Sequence, residues 1–68
     1  MKLKKALRKV EGSSYEWLAV DFDGEIYAYR DMPHPGAMYG IWDSYCECLY
    51  LGSYSGKKDW CNTLRRVK

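Results

Sequence analysis

Three cysteines and one histidine are the residues whose chemistry would be most specific. Cys46, Cys48, Cys61 and His34 supply four zinc ligands by type. Structural zinc sites usually pair cysteines at C-x₂₋₄-C spacing, whereas Cys46 and Cys48 are separated by one residue and the other two residues are distant in the chain. We therefore expect no metal site. We expect buried, reduced thiols instead, because free cysteine is among the most buried residue types.

No combination of residues indicates catalysis. A Cys–His pair needs a thiolate beside an imidazole, but His34 stands between two prolines in a segment with the character of an exposed loop. Asp21, Asp23 and Glu25 surround Gly24, yet the ligand spacing of a calcium loop is missing, and a hairpin turn explains the Asp-Gly pair without metal. Phosphate-binding glycine loops and Ser/His/Asp sets are absent from the sequence. We predict a protein that is not an enzyme and that holds no cofactor.

Charge is segregated along the chain. Residues 1–11 carry a net charge of +4, residues 12–56 carry −6, and residues 57–68 carry +4. The chain also has three Trp, seven Tyr and one Phe, which are more rings than a domain this small can enclose. This arrangement, an acidic and aromatic middle between basic ends, indicates what kind of partner the chain would attract rather than which fold it adopts.

The acidic middle favours binding to another protein. Rigid rings edged by carboxylates suit a basic patch on a partner, because the rings give contact area and the charges steer the encounter. The residues that we predict for this surface are Asp21, Glu25, Tyr27, Tyr29, Asp31, Asp43 and Glu47.

The basic ends support an alternative, which is binding to nucleic acid. Lysine and arginine neutralise phosphates, and tyrosines can stack on bases. The residues that this alternative would use are Lys2, Lys4, Lys5, Arg8, Lys9, Arg65 and Arg66.

Residues 15–30 contain the clearest structural signal. Two runs rich in aromatic and β-branched residues flank Asp23 and Gly24. This pair best fits a two-residue type I′ hairpin turn, because both turn positions need φ > 0. In that register Val20 faces Tyr27 across the hairpin. A shift of one residue would exchange the two faces, so the turn decides which side chains enter the core.

The segments on either side of the hairpin have weaker patterns. Residues 2–11 place Leu, Ala and Val at helical spacing with lysine and arginine opposite, so they form either a short amphipathic helix or a charged edge strand. A proline-rich loop occupies residues 31–39. Residues 45–51 have the pattern of a central or well-covered strand, since both faces are largely apolar.

The apolar spacing near the end of the chain predicts a C-terminal helix. Trp60, Leu64 and Val67 recur at i, i+4 and i+7, which is typical of one helical stripe. The whole chain then forms a single α+β domain with a small antiparallel sheet of three or four strands. Its parts are a basic leader (1–14), which would hold the short N-terminal helix if one forms, the sheet (15–56) and the helix (57–68).

Parts of the chain resemble small uncharacterised proteins encoded by tailed bacteriophages. The matching segments are WLAVDFDGEIYAY (17–29), GIWD (40–43) and LGSYSGKKDW (51–60). The resemblance implies a phage accessory protein that binds and inhibits a bacterial host enzyme or defence complex. We therefore expect a monomer or homodimer in the cytoplasm of the host cell. No apolar run is long enough to cross a membrane, and the charged start lacks the apolar stretch of a signal peptide.

Overall fold

The computed structural model describes residues 1–67. Four strands form an antiparallel sheet in the order β5-β2-β1-β6, and β3 and β4 form a separate two-stranded ladder. The elements in chain order are α1 (Leu3–Val10), β1 (Trp17–Val20), β2 (Glu25–Tyr29), β3 (His34–Pro35), β4 (Trp42–Asp43), β5 (Cys48–Ser53), a 3-10 turn (Trp60–Asn62) and β6 (Arg65–Arg66).

The hairpin between β1 and β2 turns through three residues, Phe22, Asp23 and Gly24. The backbone N–H of Asp21 donates to the carbonyl of Glu25 at 3.0 Å, and the N–H of Gly24 donates to the carbonyl of Asp21 at 2.9 Å. Within the turn only Gly24 has a positive φ, +89°, as expected for a type I turn followed by a glycine bulge. The predicted two-residue turn is therefore wrong by one residue.

The longer turn changes the register of the whole hairpin. Val20 pairs with Ile26, and Ala19 pairs with Tyr27, whereas a two-residue turn would have paired Val20 with Tyr27. Because side chains alternate along a strand, this shift exchanges the faces of β2 relative to β1. Ile26 consequently joins Val20 in the main core, and Tyr29 lies on the opposite face.

Two apolar clusters cover the two faces of the sheet. Helix α1 closes the first, whose buried members are Leu3, Ala6, Val10, Leu18, Val20, Ile26, Ala28 and Leu51. The 3-10 turn and the loop around β4 close the second, which has Ala19, Tyr29 and Trp42 at its centre and Trp17, Tyr27, Trp60 and Leu64 around them.

Residues 2–11, for which the sequence left helix and edge strand open, contain a helix. Leu3, Ala6 and Val10 are buried at i, i+3 and i+7, so burial of one stripe against the sheet stabilises a segment too short to be helical alone. Arg8 and Lys9 occupy its last turn, where cations interact favourably with the helix dipole. Within residues 1–67 no helix combines the length and the apolar content needed to cross a membrane.

The predicted C-terminal helix over residues 57–68 is wrong, and so is the α+β fold built on it. The chain makes one turn of 3-10 helix and then extends as β6 along β1; Lys68 lies outside the described residues. Trp60 and Leu64 pack on one face of the sheet, whereas Val67 packs on the other. A helix would have kept all three on one side. The described chain is mostly strand, with a short N-terminal helix.

Pairing with β1 explains why the tail is extended. β1 would otherwise present a free edge of backbone donors and acceptors. The N–H of Val67 donates to the carbonyl of Glu16 at 2.7 Å, which continues the ladder beyond β6. Tertiary pairing thus overrides the helical spacing of the side chains.

Residues 45–51, predicted to be a central or well-covered strand, lie at the edge of the sheet. The strand begins later than predicted, at Cys48, and it pairs with β2 alone. Leu49 and Tyr50 are 41% and 51% exposed, and Leu51 is buried. A register irregularity opposite Ile26 and Tyr27 interrupts the ladder, as bulges at sheet edges often do.

Thr63 fixes the tail to the sheet through a buried hydroxyl. The Val20 N–H donates to its Oγ1 at 2.9 Å, and Oγ1 donates to the Trp60 carbonyl at 2.7 Å. The residue is fully buried. Its side chain therefore satisfies a β1 donor that the short strand β6, which pairs only with Trp17 and Leu18, does not reach.

We predict that Thr63→Val lowers the free energy of unfolding by about 1–3 kcal/mol, because it leaves the buried Val20 N–H without a partner at nearly unchanged volume. Urea unfolding followed by tryptophan fluorescence measures the change. Thr63→Ser is the matched control, since it keeps the hydroxyl and loses a methyl group. A Thr63→Val variant as stable as the wild type, or more stable than Thr63→Ser, would contradict the role assigned to the hydroxyl.

Candidate protein-binding surface

Three of the residues predicted to bind protein lie together beside the hairpin turn. Asp21 and Glu25 are joined through their backbones at the base of the turn. The Tyr27 hydroxyl donates to the Glu25 carboxylate at 3.1 Å, and this hydrogen bond is the main reason that the pKa of Tyr27 rises to about 12. Tyr27 also contacts Tyr50 on β5, with ring centroids 5.5 Å apart. The turn therefore carries carboxylates next to partly buried rings.

Two other predicted residues form a separate group around Ser44. Its hydroxyl donates to the Asp31 carboxylate, and its backbone N–H donates to Asp43 Oδ1 at 2.9 Å. The hydroxyl hydrogen bond lowers the pKa of Asp31 below its ordinary value. Glu47 is exposed in the segment that precedes β5. The carboxylates of Asp31 and Asp43 bind Ser44 within this loop, and no hydrogen bond among the described residues joins any of the three carboxylates to the turn.

Tyr29 does not belong to the surface. Only 2% of the residue is exposed, and burial raises the pKa of its hydroxyl. The three-residue turn places it in the second cluster beside Ala19 and Trp42. A ring enclosed in this way offers no area to a partner.

The most exposed rings are ones that the sequence did not single out. Tyr45, Tyr39 and Phe22 are 93%, 81% and 68% exposed. Phe22, Tyr39 and Trp60 form a continuous aromatic row, with centroid distances of 5.8 Å and 5.5 Å between neighbours. Phe22 escaped notice because a two-residue turn places it in a strand, whereas the observed turn places it in the loop.

Gly40 allows the aromatic row to form. The Phe22 N–H donates to the Gly40 carbonyl at 2.6 Å, which brings the proline-rich loop against the hairpin turn. Gly40 has φ +84°, and a Cβ built there would lie 2.4 Å from the Cβ of Phe22. Only glycine fits both the conformation and the space. Tyr39, its neighbour, is thereby held against Phe22 and Trp60.

A cleft of about 300 Å³ lies beside the row, between the hairpin turn and residues 56–60. Asp21, Asp23 and Asp59 line it together with Phe22 and Trp60, and Lys58 also reaches it. We call this cleft and the row of Phe22, Tyr39 and Trp60 the acidic–aromatic surface. Asp23 and Asp59 were not among the predicted residues. Their proximity depends on the tail folding back to the turn, which no local pattern indicates.

Burial, a hydrogen bond and neighbouring charges all act on the carboxylate of Asp21. Burial raises its pKa, the hydrogen bond from the Trp42 N–H to Oδ1 at 2.9 Å opposes that rise, and the charges of Asp23 and Glu25 add to it. The ionised form is thus disfavoured by desolvation and by like charges. The opposite charge of a cation in the cleft would stabilise the ionised form.

The cysteines and the histidine form no chemical site. Cys46, Cys48 and Cys61 are all exposed, which corrects the expectation of buried thiols. Cys48 lies on an edge strand, and Cys61 lies in the 3-10 turn outside both clusters. His34 is exposed, with its ring 6.0 Å from that of Tyr45. Among residues 1–67 no three His, Cys, Asp or Glu side chains are arranged to hold a metal ion.

The residues of the nucleic-acid alternative separate into two kinds. Lys2, Lys4 and Arg65 line a second groove of about 450 Å³, together with Lys57 and Lys58. The other four do not line that groove. Lys5 and Arg8 are exposed on α1. Lys9 donates to the Leu51 carbonyl at 3.2 Å, and the Arg66 guanidinium lies 5.3 Å from the centre of the Trp17 ring.

Comparison of the chain with protein-family models, with curated proteins and with solved structures found no match.

We predict that Asp21→Asn stabilises the protein at neutral pH. Asn keeps an oxygen for the Trp42 N–H but removes a charge that the folded state disfavours. The folded state binds the Asp21 proton more tightly than the unfolded chain does, so protonation stabilises the wild type as pH falls through the raised pKa. The difference in the free energy of unfolding between the variant and the wild type should be largest at neutral pH. It should shrink as pH falls towards 3.8, the ordinary pKa of an aspartate.

Urea unfolding of both proteins across this pH range measures the difference. Asp59→Asn is the matched control, because it removes a carboxylate from the same cleft. Asp59 is exposed, and its side chain makes no capping hydrogen bond to the 3-10 turn. A wild type more stable than Asp21→Asn at neutral pH would contradict the assignment.

Proposed function

We propose that this chain is a small protein-binding module that recognises a basic patch of its partner through the acidic–aromatic surface. A lysine or arginine side chain of the partner enters the cleft, and the aromatic row packs against the surface around it. The observation that carries the proposal is the aromatic row, with Phe22 and Tyr39 exposed and Trp60 partly buried, beside a cleft that three aspartates line.

The rings supply contact area. Contiguous exposed apolar groups mark interaction sites, and aromatic residues are enriched at protein interfaces. The Tyr39 ring lies between those of Phe22 and Trp60, with centroid distances below 6 Å, so the three rings present one continuous patch. Met38 and Ile41, which are 70% and 40% exposed, extend the apolar area on the same loop. A rigid ring that is already exposed is a favourable centre for an interface.

The carboxylates supply orientation and attraction. Asp21, Asp23 and Asp59 outnumber Lys58 in the cleft. A guanidinium or ammonium group placed there meets several acceptors and lies close to the rings of Phe22 and Trp60, where a cation–π contact adds to the attraction. Because opposite charges steer the encounter, the association rate should fall with ionic strength.

We further propose, on the resemblance to tailed-phage proteins, that the partner is a bacterial host enzyme or defence complex and that binding inhibits it. A compact domain whose candidate site is a surface rather than a catalytic set is suited to that role. This part of the proposal depends on the resemblance, whereas the surface does not.

Capture from nuclease-treated bacterial lysate tests the proposal. We expect the wild type to retain a discrete protein, and we expect Asp23→Lys and Tyr39→Ala each to weaken its retention by about tenfold or more, as expected for the loss of a hot-spot contact. Both positions are exposed, so we expect both variants to remain folded, with some loss of stability in Asp23→Lys because Asp23 Oδ1 accepts the Glu25 N–H at 3.0 Å. Their unfolding midpoints in urea check this.

Glu11→Lys is the matched control, since it makes the same charge change at an exposed acid next to the end of α1. It should bind like the wild type. Failure to retain a protein, or equal loss in Glu11→Lys and Asp23→Lys, would overturn the proposal, because the second result would show an effect of net charge alone.

A further inference from the structure

The basic groove brings together cations from the two ends of the chain. It lies between the start of α1 and residues 54–58 and has a volume of about 450 Å³. Two backbone hydrogen bonds close this arrangement: the Ser55 N–H donates to the Met1 carbonyl at 2.9 Å, and the Tyr54 N–H donates to the Gly24 carbonyl at 2.7 Å. The volume is within the range of about 300–1,000 Å³ that ligand sites occupy.

The lining of the groove has a single sign of charge. Lys2, Lys4, Lys57, Lys58 and Arg65 all reach it, and none of the described residues that line it is acidic. The first turn of α1 contains no acidic residue, and its N-cap position makes no side-chain hydrogen bond. The positive end of the helix dipole therefore adds to the field of the lysines. A bound anion would interact favourably with the lysines and with the positive end of the helix dipole.

Part of the lining of the groove is apolar and includes an aromatic ring. Leu3, Leu7 and Tyr54 line it together with the cations. The Tyr54 hydroxyl accepts the Lys58 N–H at 3.3 Å, and Gly56 makes room for the ring, because a Cβ there would lie 2.1 Å from that hydroxyl oxygen. A ligand that fits must carry negative charge and also offer an apolar face.

We infer that this groove binds single-stranded nucleic acid, with phosphates on the cationic rim and a base against Tyr54 and the leucines. A single strand offers both chemistries together, since its bases are free to stack on side chains. A duplex keeps its bases enclosed and would leave the apolar floor unused. An acidic peptide would meet the charges but would offer no planar face for the tyrosine.

The groove and the acidic–aromatic surface adjoin each other. Tyr54, Gly56 and Lys58 line both, so residues 54–58 separate a basic site from an acidic one. Phosphates are attracted on one side of this segment and repelled on the other, which confines the strand to the side of α1. Lys4 and Lys57 belong to the groove alone, and Asp23 lines the cleft alone. The two sites can therefore be tested separately.

Fluorescence anisotropy with a labelled oligothymidylate of about 12 nucleotides, a length within known single-strand sites, tests the inference on the full chain. We expect binding whose affinity falls as salt rises, by about 0.7 log units per log unit of salt for each phosphate neutralised. An oligonucleotide with abasic sites should bind at least about fivefold more weakly, since stacking contributes about 1–3 kcal/mol per base.

Charge reversals inside and outside the groove test whether the oligonucleotide binds there. Lys4→Glu and Lys57→Glu should each weaken binding by roughly fivefold, the upper range for one exposed ionic contact. Lys5→Glu is the matched control, because Lys5 is the next exposed residue of the same helix and lies outside the groove. It should change the affinity by less than about twofold, as exposed charges away from a contact do.

Four results would overturn the inference. These are no binding at low salt, equal losses for Lys4→Glu and Lys5→Glu, tighter binding of the duplex than of the single strand, and competition by polyglutamate as strong as that by the oligonucleotide. None of them bears on the acidic–aromatic surface, whose variants Asp23→Lys and Tyr39→Ala should bind the oligonucleotide at least as well as the wild type.

Discussion

The backbone conformation of Gly24 determines which side chains this small protein can bury. Its positive φ closes a three-residue turn, and that turn pairs Val20 with Ile26. Leu18 and Ala28 then share the same face and receive helix α1. With a turn one residue shorter, half of the apolar side chains of the hairpin would face away from the helix. A core this small has no reserve of burial with which to offset such a change.

The second constraint is the free edge of β1, and the tail satisfies it. The Val20 N–H donates to the Thr63 hydroxyl, and β6 pairs with Trp17 and Leu18. The indole N–H of Trp42 donates to the backbone carbonyl of Trp60 at 3.2 Å. Upstream of these contacts, the Tyr54 N–H donates to the Gly24 carbonyl and the Ser55 N–H donates to the Met1 carbonyl, which places this segment between the hairpin turn and the start of α1. Both candidate sites follow from that placement, since each needs this segment as one wall.

The sequence predicts features encoded within short segments and misses those created by distant ones. The hairpin around residues 15–30 and the apolar stripe of residues 2–11 are local, and both exist. Asp-Gly fits turns of two and of three residues, so the register, and with it the burial of Tyr29, depends on how the strands pack. The stripe of Trp60, Leu64 and Val67 has helical spacing, yet pairing with β1 stabilises strand. Likewise, the basic ends of the chain are separated by fifty residues or more, so no pattern indicates that Lys4 and Lys57 line one groove.

The position of Asp21 would link the stability of the hairpin to the proposed binding of a cation. Its carboxylate accepts the Trp42 N–H and so supports the second cluster, while its charge is disfavoured by burial and by Asp23 and Glu25. An uncharged amide could keep the hydrogen bond without that electrostatic cost. Retaining a destabilising charge beside exposed rings is a pattern typical of binding sites, where the partner supplies the missing opposite charge. In this protein the disfavoured charge lies at the base of the turn that sets the register. A cation bound in the cleft should therefore also stabilise the hairpin.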